Sequence, residues 1–319
     1  MSGAQHLENF LQLLVAGVLT GAIYGLMCVG LSVIFGVMRV INFAQGEFMM
    51  LGMYFAYYVF GFFGAHMLFG DSIAPFVSAL LAGPAVYLLG VLLHKALVSQ
   101  VTGTSSSRLD AEGHYAQLIL TLGLSLILSN GGLVVFGSAP VSISTPLSST
   151  AWAIGPLYGE ELLIFVNQGQ TIGALLAIGV VMAFAALMGR SRLGRSLRAA
   201  ADNPRAAIYM GIDVDRAYRI AFGFGVGITA IGGGLLASSY PFQPYVGIEY
   251  VIVMYAGVVL GGLGSLRGAF FGGLTIGVIQ QMSAWFLPNQ LQNTAIFVCF
   301  LLIVLLKPDG LFGRAARRA

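Results

Sequence analysis

Apolar residues are gathered into nine long runs separated by short polar segments. The runs cover residues 10–38, 48–69, 74–94, 117–137, 170–189, 220–239, 249–266, 268–287 and 290–306. A helix needs about 20 mainly apolar residues to cross the hydrocarbon core of a bilayer, and most of these runs have that length or nearly so. The pattern therefore predicts an all-α, polytopic membrane bundle of eight or nine transmembrane helices in a single domain, residues 1–319.

Two stretches need separate interpretation. Residues 249–287 are either two full spans broken near Arg267 or a re-entrant pair of half-helices. The first run is too long for the apolar region of a signal peptide, and residues 1–9 contain no Lys or Arg. We therefore expect the first helix to stay in the mature protein.

The composition strengthens the membrane assignment. The chain is 58% apolar and 8% charged, with a mean hydropathy of +0.89, whereas soluble domains are roughly 25% charged. These values exclude a soluble globular enzyme, a disordered chain and a disulfide scaffold. Glycine accounts for 44 of the 319 residues. In lipid, small residues let helices approach closely, so the glycine content predicts tight helix packing, with Gly17, Gly21 and Gly25 on one helix face.

The charged residues indicate an orientation. With the N-terminus outside and nine crossings, all 15 basic residues fall on the inside. The charged residues of the outside segments are then all acidic: Glu8, Asp71, Glu160, Glu161 and Glu249. Cytoplasmic loops are enriched in Lys and Arg. We therefore expect the N-terminus outside and the C-terminus in the cytoplasm. Loop 138–169 is then outside, and loop 190–219, which has seven arginines, is cytoplasmic.

A short helix is predicted within the cytoplasmic loop. Asp202 or Asn203 suits the N-cap, Pro204 suits the first helical position, and Gly211 suits the stop. A helix of about seven residues is not stable alone in water, so we expect it to dock against a partner through an apolar knob. The alternative is an ordinary basic loop. The candidate docking residues are Asp202, Asn203, Pro204, Arg205, Ala206, Ile208, Tyr209, Met210 and Gly211.

Three polar residues interrupt an apolar region after the first run: Asn42, Gln45 and Glu47. Polar groups at membrane depth usually face a cavity or another helix, so these residues could line or gate a pathway. Alternatively, Asn42 caps a helix, and Glu47 lies at the headgroup boundary or pairs with Arg39. The sequence leaves both interpretations open.

Motifs for catalysis are not found in the sequence. It contains neither His-Glu-x-x-His nor Gly-x-Ser-x-Gly, and its four histidines are scattered. A phosphate-binding P-loop needs the motif Gly-Lys-Ser/Thr. The two lysines of the sequence, Lys95 and Lys307, follow His94 and Leu306 rather than glycine, so the motif is not present. We therefore expect no enzyme activity, no cofactor in this chain and no nucleic-acid partner. Any energy that the protein uses therefore has to come from a partner.

Four stretches carry a resemblance to a known family. They are VGLSVIFGVMRVINFAQGEFMMLG at 29–52, AADNP at 200–204 followed by MGI at 210–212, VLGGLGSLRG at 259–268 and KPDGLFG at 307–313. In this order the chain resembles the permeases of branched-chain amino acid ABC importers, and most of all the first permease of the pair. The resemblance extends from Gly17 to Gly313.

The resemblance implies a type II importer fold in a bacterial inner membrane, with loop 138–169 in the periplasm. It also implies a set of partners. These are a second permease, which the resemblance suggests is a different chain, two cytoplasmic P-loop ATPases that bind ATP and Mg, and a periplasmic substrate-binding protein. It implies that 200–211 is the coupling helix that sits in a groove of the ATPase. Members of the family carry aliphatic amino acids, urea, amides or aromatic acids, so the solute stays open. A self-sufficient secondary transporter or channel, and a non-transporting scaffold, are the rival hypotheses.

Overall fold

A computed structural model describes residues 3–62, 64–99, 111–157, 162–288, 291–307 and 310. The membrane helices predicted from the nine apolar runs are α1 (Gly3–Met38), α2 (Gln45–Phe62), α3 (Ala65–Leu93), α4 (Ala111–Phe136), α6 (Gln168–Arg190), α9 (Val214–Ala237), α10 (Val246–Gly261), α11 (Leu266–Ser283) and α12 (Gln292–Leu306). Between them lie three shorter α-helices, α5 (Pro146–Ser149), α7 (Arg192–Asp202) and α8 (Pro204–Tyr209), and two strands, β1 (Ala151–Leu157) and β2 (Leu162–Asn167). A π-helical segment at His94–Val98 continues α3. The predicted helical membrane bundle is confirmed.

Not every helix is long enough to span a bilayer alone. Within the described residues, five helices combine sufficient length and apolar character, namely those at Gln5–Met38, Ser72–Val98, Ala116–Phe136, Gln168–Arg190 and Val214–Ala237. The apolar helices α10 and α12 are shorter. At 1.5 Å per residue, the 16 residues of α10 extend about 24 Å, less than the ~30 Å of a bilayer core.

The centre of the bundle is α1, which packs antiparallel to α11. A Cβ added at Gly17 would lie 2.8 Å from the Cα of Val278, and one at Gly21 would lie 3.0 Å from the Cα of Leu274. A Cβ at Gly25 would lie 2.7 Å from the carbonyl oxygen of Phe270. The predicted glycine face therefore serves contacts within the chain, because the two backbones touch there.

The start of α2 lies deep in the bundle. Arg39 has a φ of 54°, which ends α1, and residues 39–44 then run back along the bundle without helical structure. The side chain of Gln45, the first residue of α2, contacts Thr229, whose hydroxyl lies 3.4 Å from the carbonyl oxygen of Met27. Met27 is eleven residues before the end of α1. The three polar residues at 42–47 are consequently inside the protein.

The ambiguous stretch 249–287 forms two helices joined at 262–265. Gly262 and Gly264 have φ values of 98° and 81°, and the hydroxyl of Ser265 caps α11 by accepting a hydrogen bond from the N–H of Gly268. The break precedes Arg267, which lies in the first turn of α11. At its other end α10 begins against α2, because a Cβ at Gly247 would lie 2.8 Å from the carbonyl carbon of Gly46. Thus α10 is a short helix that starts inside the bundle.

The loop at 138–169 contains structure that the sequence analysis missed. Its two strands form an antiparallel hairpin in which Trp152 pairs with Val166 and Ile154 with Ile164. Ile164 and Val166 are buried against Leu11, Val15 and Leu19 of α1. The all-α prediction therefore omitted a small sheet. Tyr158, Glu160 and Glu161 lie outside the described residues, and nothing is described of the side chain of Asp71.

The bundle has two chemically different ends. We call the end with the β1–β2 hairpin the hairpin end, and the opposite end, with α7, α8 and residues 262–265, the basic end. Arg39 of the basic end donates to Ala201 of α7, and Gly36 faces Gly264. The described basic residues belong to this end: Arg39, Lys95, Arg190, Arg192, Arg195, Arg198, Arg205, Arg216, Arg219, Arg267 and Lys307. Arg108 and the C-terminal arginines lie outside the described residues.

Candidate functional site

The predicted short helix in the arginine-rich loop is present as α8. Of the two N-cap candidates, Asn203 takes the position, and its side-chain oxygen accepts a hydrogen bond from the N–H of Ala206 at 3.0 Å. Pro204 is the first helical residue. Gly211 has a φ of 78°, and the N–H of Ile212 donates to the carbonyl of Ala207, which closes the helix C-terminus. The local signals in the sequence therefore produce the expected helix, six residues long.

The end of α8 presents an apolar surface. Tyr209 is 89% exposed, Met210 81% and Ile208 46%, whereas Ala207 is buried against the protein. The other candidate residues, Asp202, Asn203, Arg205, Ala206 and Gly211, are exposed, and Pro204 is half-buried. We call Ile208, Tyr209 and Met210 the apolar knob. Large apolar side chains exposed together outside the bilayer are typical of a docking surface.

The helix before α8, which the sequence analysis did not predict, fixes α8 to the bundle. Ser191 caps α7 by accepting a hydrogen bond from Gly194, and Leu197 and Ala200 are buried. The guanidinium of Arg198 donates to the carbonyl of Met188 at the end of α6. The signal was present: Leu193, Leu197 and Ala200 follow one helix face after a serine cap.

A cleft lies beside α8, between α7 and the start of α9. Its volume is about 360 Å³, and Leu197, Ile212 and Ala217 form apolar parts of its wall. Asp213 and Arg216 add charge at its rim. The knob and this cleft together form an irregular surface at the basic end that a partner with complementary shape could bind.

The second candidate set, at the start of α2, forms a buried polar cluster. Asn42 accepts a hydrogen bond from the N–H of Ala44 at 3.2 Å, and its amide donates to Gln45 at 2.9 Å. The amide of Gln45 donates in turn to the hydroxyl of Thr229 at 2.6 Å and to the carbonyl of Gly225 at 3.2 Å. Both side chains are fully buried, so this part of the cluster fastens α2 to α9.

Glu47 is buried and does not pair with Arg39. Its side chain is 1% exposed, and it accepts a hydrogen bond from Ser125 of α4 at 3.3 Å. Its second carboxyl oxygen, Oε2, has no hydrogen-bond partner among the described residues. Glu47 therefore lies inside the bundle, and its hydrogen-bond partner is Ser125 rather than Arg39.

The N-terminal ends of α2 and α10 explain how the carboxyl group of Glu47 is accommodated inside the bundle. Glu47 lies in the first turn of α2, and its carboxyl group lies against Gly247 in the first turn of α10. The N-terminal ends of helices carry partial positive charge, which stabilises a nearby carboxylate. Discontinuous helices whose N-termini meet inside the membrane are typical of transporters. No group of three His, Cys, Asp or Glu side chains suited to a metal ion occurs among the residues with described positions.

The chain is similar to known transport proteins. The high-affinity branched-chain amino acid transport system permease protein LivH of Escherichia coli is 29% identical over 312 residues, 96% of each chain. The corresponding BraD protein of Pseudomonas aeruginosa is 27% identical over 97% of each chain. The solved structure of PsaBC from Streptococcus pneumoniae in complex with Fab aligns with a TM-score of 0.45 and 14% identity, over 94% of this chain and 92% of that one.

The family comparison covers nearly the whole chain. The match extends over residues 13–306, from within α1 to the end of α12, and both candidate sets lie inside it. The chain therefore belongs to the family described as branched-chain amino acid transport system / permease component.

Proposed function

We propose that this chain is the membrane-spanning permease subunit of an ATP-driven ABC importer for branched-chain amino acids or a related small solute. It forms the translocation pathway together with a second permease, a different chain. The observation that carries the proposal is the family match over residues 13–306. The printed functions of the E. coli and P. aeruginosa relatives supply the solute class.

The proposal assigns ATP hydrolysis to two separate P-loop ATPases that bind ATP and Mg. The sequence supports this division, because its two lysines, Lys95 and Lys307, do not belong to a Gly-Lys-Ser/Thr motif. In this scheme the apolar knob of α8 sits in a groove of the ATPase. The exposure of Tyr209 and Met210 is the reason for choosing it, because an aromatic and a flexible thioether side chain suit a pocket in a partner.

A chain of contacts connects α8 with the polar cluster. Asn203 is both the C-cap of α7 and the N-cap of α8, so the two helices move together. The guanidinium of Arg39 donates a hydrogen bond to the carbonyl of Ala201 in α7 at 3.5 Å. Arg39 begins the non-helical segment 39–44, which contains Asn42 of the polar cluster. Movement of α8 by an ATPase would thus reach the start of α2. An ATPase shifts the permease equilibrium only through contacts that differ between its two states.

Solute delivery is assigned to the hairpin end. There a periplasmic substrate-binding protein would dock, and the hairpin offers exposed apolar side chains at Trp152, Ile154 and Phe165. Aromatic side chains are enriched in protein interfaces. This arrangement requires the hairpin end outside and the basic end in the cytoplasm.

The orientation gives a direct prediction. The test uses a Cys299→Ser variant as background, because the remaining cysteine, Cys28, is buried. In that background Ser149→Cys should react with a membrane-impermeant maleimide in intact spheroplasts. Arg192→Cys, at the basic end, should react only after permeabilisation. Both positions are exposed. Labelling of Arg192→Cys before permeabilisation would reverse the orientation.

Glu47 gives a prediction for the pathway. Glu47→Gln preserves the side-chain volume and an oxygen that accepts from Ser125, but removes the charge. If the carboxylate contributes to the pathway, uptake should fall by about tenfold, a change of about 1.4 kcal/mol in free energy. The measurement is initial uptake normalised to the amount of chain in the membrane, with Ser125→Ala as the control for the hydrogen bond alone. Wild-type uptake by Glu47→Gln would make Glu47 a packing residue.

Affinity purification from native membranes in mild detergent tests the proposed assembly. Recovery of P-loop ATPases and a second permease supports it. Recovery of the chain alone, still able to move solute in vesicles without ATP, would favour a self-sufficient secondary transporter or channel.

A further inference from the structure

An apolar groove opens on the side of the bundle between α3, α6 and α9. Its volume is about 670 Å³, within the range of about 300–1,000 Å³ usual for small-molecule sites. Apolar side chains line it except for the hydroxyl of Tyr87. We call it the side groove. Its lining includes Tyr87 of α3, Ala183 and Leu187 of α6, and Phe224 and Ile231 of α9.

The packing of the three helices creates this groove. Helices α3 and α9 touch through their backbones, because a Cβ at Gly227 would lie 2.9 Å from the carbonyl oxygen of Gly83. Helix α6 packs mainly on α1 instead and stands away from α9. Three aromatic rings form the floor: Phe224 lies 5.1 Å from Tyr87 and 5.5 Å from Phe184 between ring centroids.

Two basic residues follow lining residues of the side groove along their helices toward the basic end. Arg190 follows Leu187 by three residues on the same face of α6, and Lys95 follows Tyr87 by about two helical turns. Both side chains are exposed. The side groove is therefore apolar, and two of the helices that line it carry an exposed basic side chain nearer the basic end.

We propose that the side groove is a specific site for one acyl chain of an anionic phospholipid, whose phosphate is held by Arg190 and Lys95. Basic pockets between membrane helices are known to suit acidic lipid headgroups. A second permease fits the groove less well. An apolar helix face offers Arg190 and Lys95 no counter-charge, whereas the phosphate of an anionic lipid does. The inference does not depend on the solute or on the ATPase.

Native mass spectrometry of the full-length chain tests the site. The chain is reconstituted in nanodiscs that contain equal amounts of phosphatidylglycerol and phosphatidylcholine with identical acyl chains, and retained lipids are counted after release. Wild type should retain phosphatidylglycerol in about tenfold excess, a preference of about 1.4 kcal/mol. Equal retention of the two lipids would overturn the proposal.

Two matched tryptophan variants separate the groove from the general lipid boundary. Ala183→Trp fills the groove and should abolish selective retention. Ala185→Trp, on the same helix and also exposed but outside the groove, should behave as wild type. Ala183→Leu provides a milder filling variant if the tryptophan disturbs insertion. Equal lipid retention by all three variants and wild type would overturn the site. The lipid assignment would also be overturned if Ala183→Trp lost a second permease that copurifies with the wild type while its lipid retention stayed unchanged.

The double variant Arg190→Gln/Lys95→Gln tests the headgroup contact. It should reduce the preference for phosphatidylglycerol to less than about twofold while total lipid at the groove persists, because the apolar slot is intact. An unchanged preference would contradict the assignment of these two residues.

Discussion

Replacing the apolar knob of α8 with three glutamates, Ile208→Glu/Tyr209→Glu/Met210→Glu, is expected to abolish ATP-driven uptake without preventing membrane insertion. The three side chains are exposed, so their replacement leaves the packing of the bundle intact. Charges carried into a buried partner groove without counter-charges are costly, at several kcal/mol each. Uptake should therefore fall well over tenfold, since 1.4 kcal/mol corresponds to about a tenfold loss of binding.

The control keeps the knob apolar. Ile208→Leu/Tyr209→Phe/Met210→Leu should retain most of the uptake and the solute-stimulated ATP hydrolysis. Both variants are compared at equal amounts in the membrane, with ATP hydrolysis measured in the reconstituted importer. Normal solute-stimulated hydrolysis in the glutamate variant would eliminate α8 as the coupling helix.

A leucine at Gly277 is expected to destabilise the bundle strongly. A Cβ there would collide with the backbone of Gly21 and would lie 3.0 Å from the carbonyl oxygen of Gly17. Backbone atoms at the contact of two long helices cannot move aside as a flexible side chain can. Overpacking costs about 1–3 kcal/mol or more, and about 2–4 °C is lost per kcal/mol in large domains. The apparent unfolding temperature in detergent should fall by roughly 5 °C or more.

Gly179→Leu is the matched control for this change. Gly179 lies in α6, also within a membrane helix, and an added Cβ meets nothing within 4 Å. Its unfolding temperature should stay within about 2 °C of wild type. Similar losses for the two variants would mean that glycine matters for helix flexibility in general rather than for the α1–α11 contact.

The sequence was sufficient to predict features that depend on local patterns. Apolar run length identified the membrane helices, and the cap at Asn203, Pro204 and the stop at Gly211 located α8. The hairpin could also have been found, because Ile164 and Val166 alternate with the exposed Leu163 and Phe165. The Ser/Thr/Pro-rich residues before it concealed this short alternating pattern.

Features that depend on distant contacts were not predictable. Ser125 is 78 residues from Glu47, and Gly247 approaches Gly46 only in the folded bundle. Arg39 adopts a left-handed backbone conformation that its residue type does not signal, since glycine and asparagine are the usual indicators. The sequence therefore suggested polar residues near the headgroups as one alternative, whereas the turn at 39–44 carries them into the interior.

The measurement that tests the central claim most directly is uptake of radiolabelled leucine by proteoliposomes. They contain this chain with its copurified permease and ATPases, ATP in the lumen and the binding protein outside. The account predicts uptake that requires luminal ATP and persists when a protonophore collapses the proton gradient. Uptake by this chain alone, driven by a proton gradient and indifferent to ATP, would contradict it.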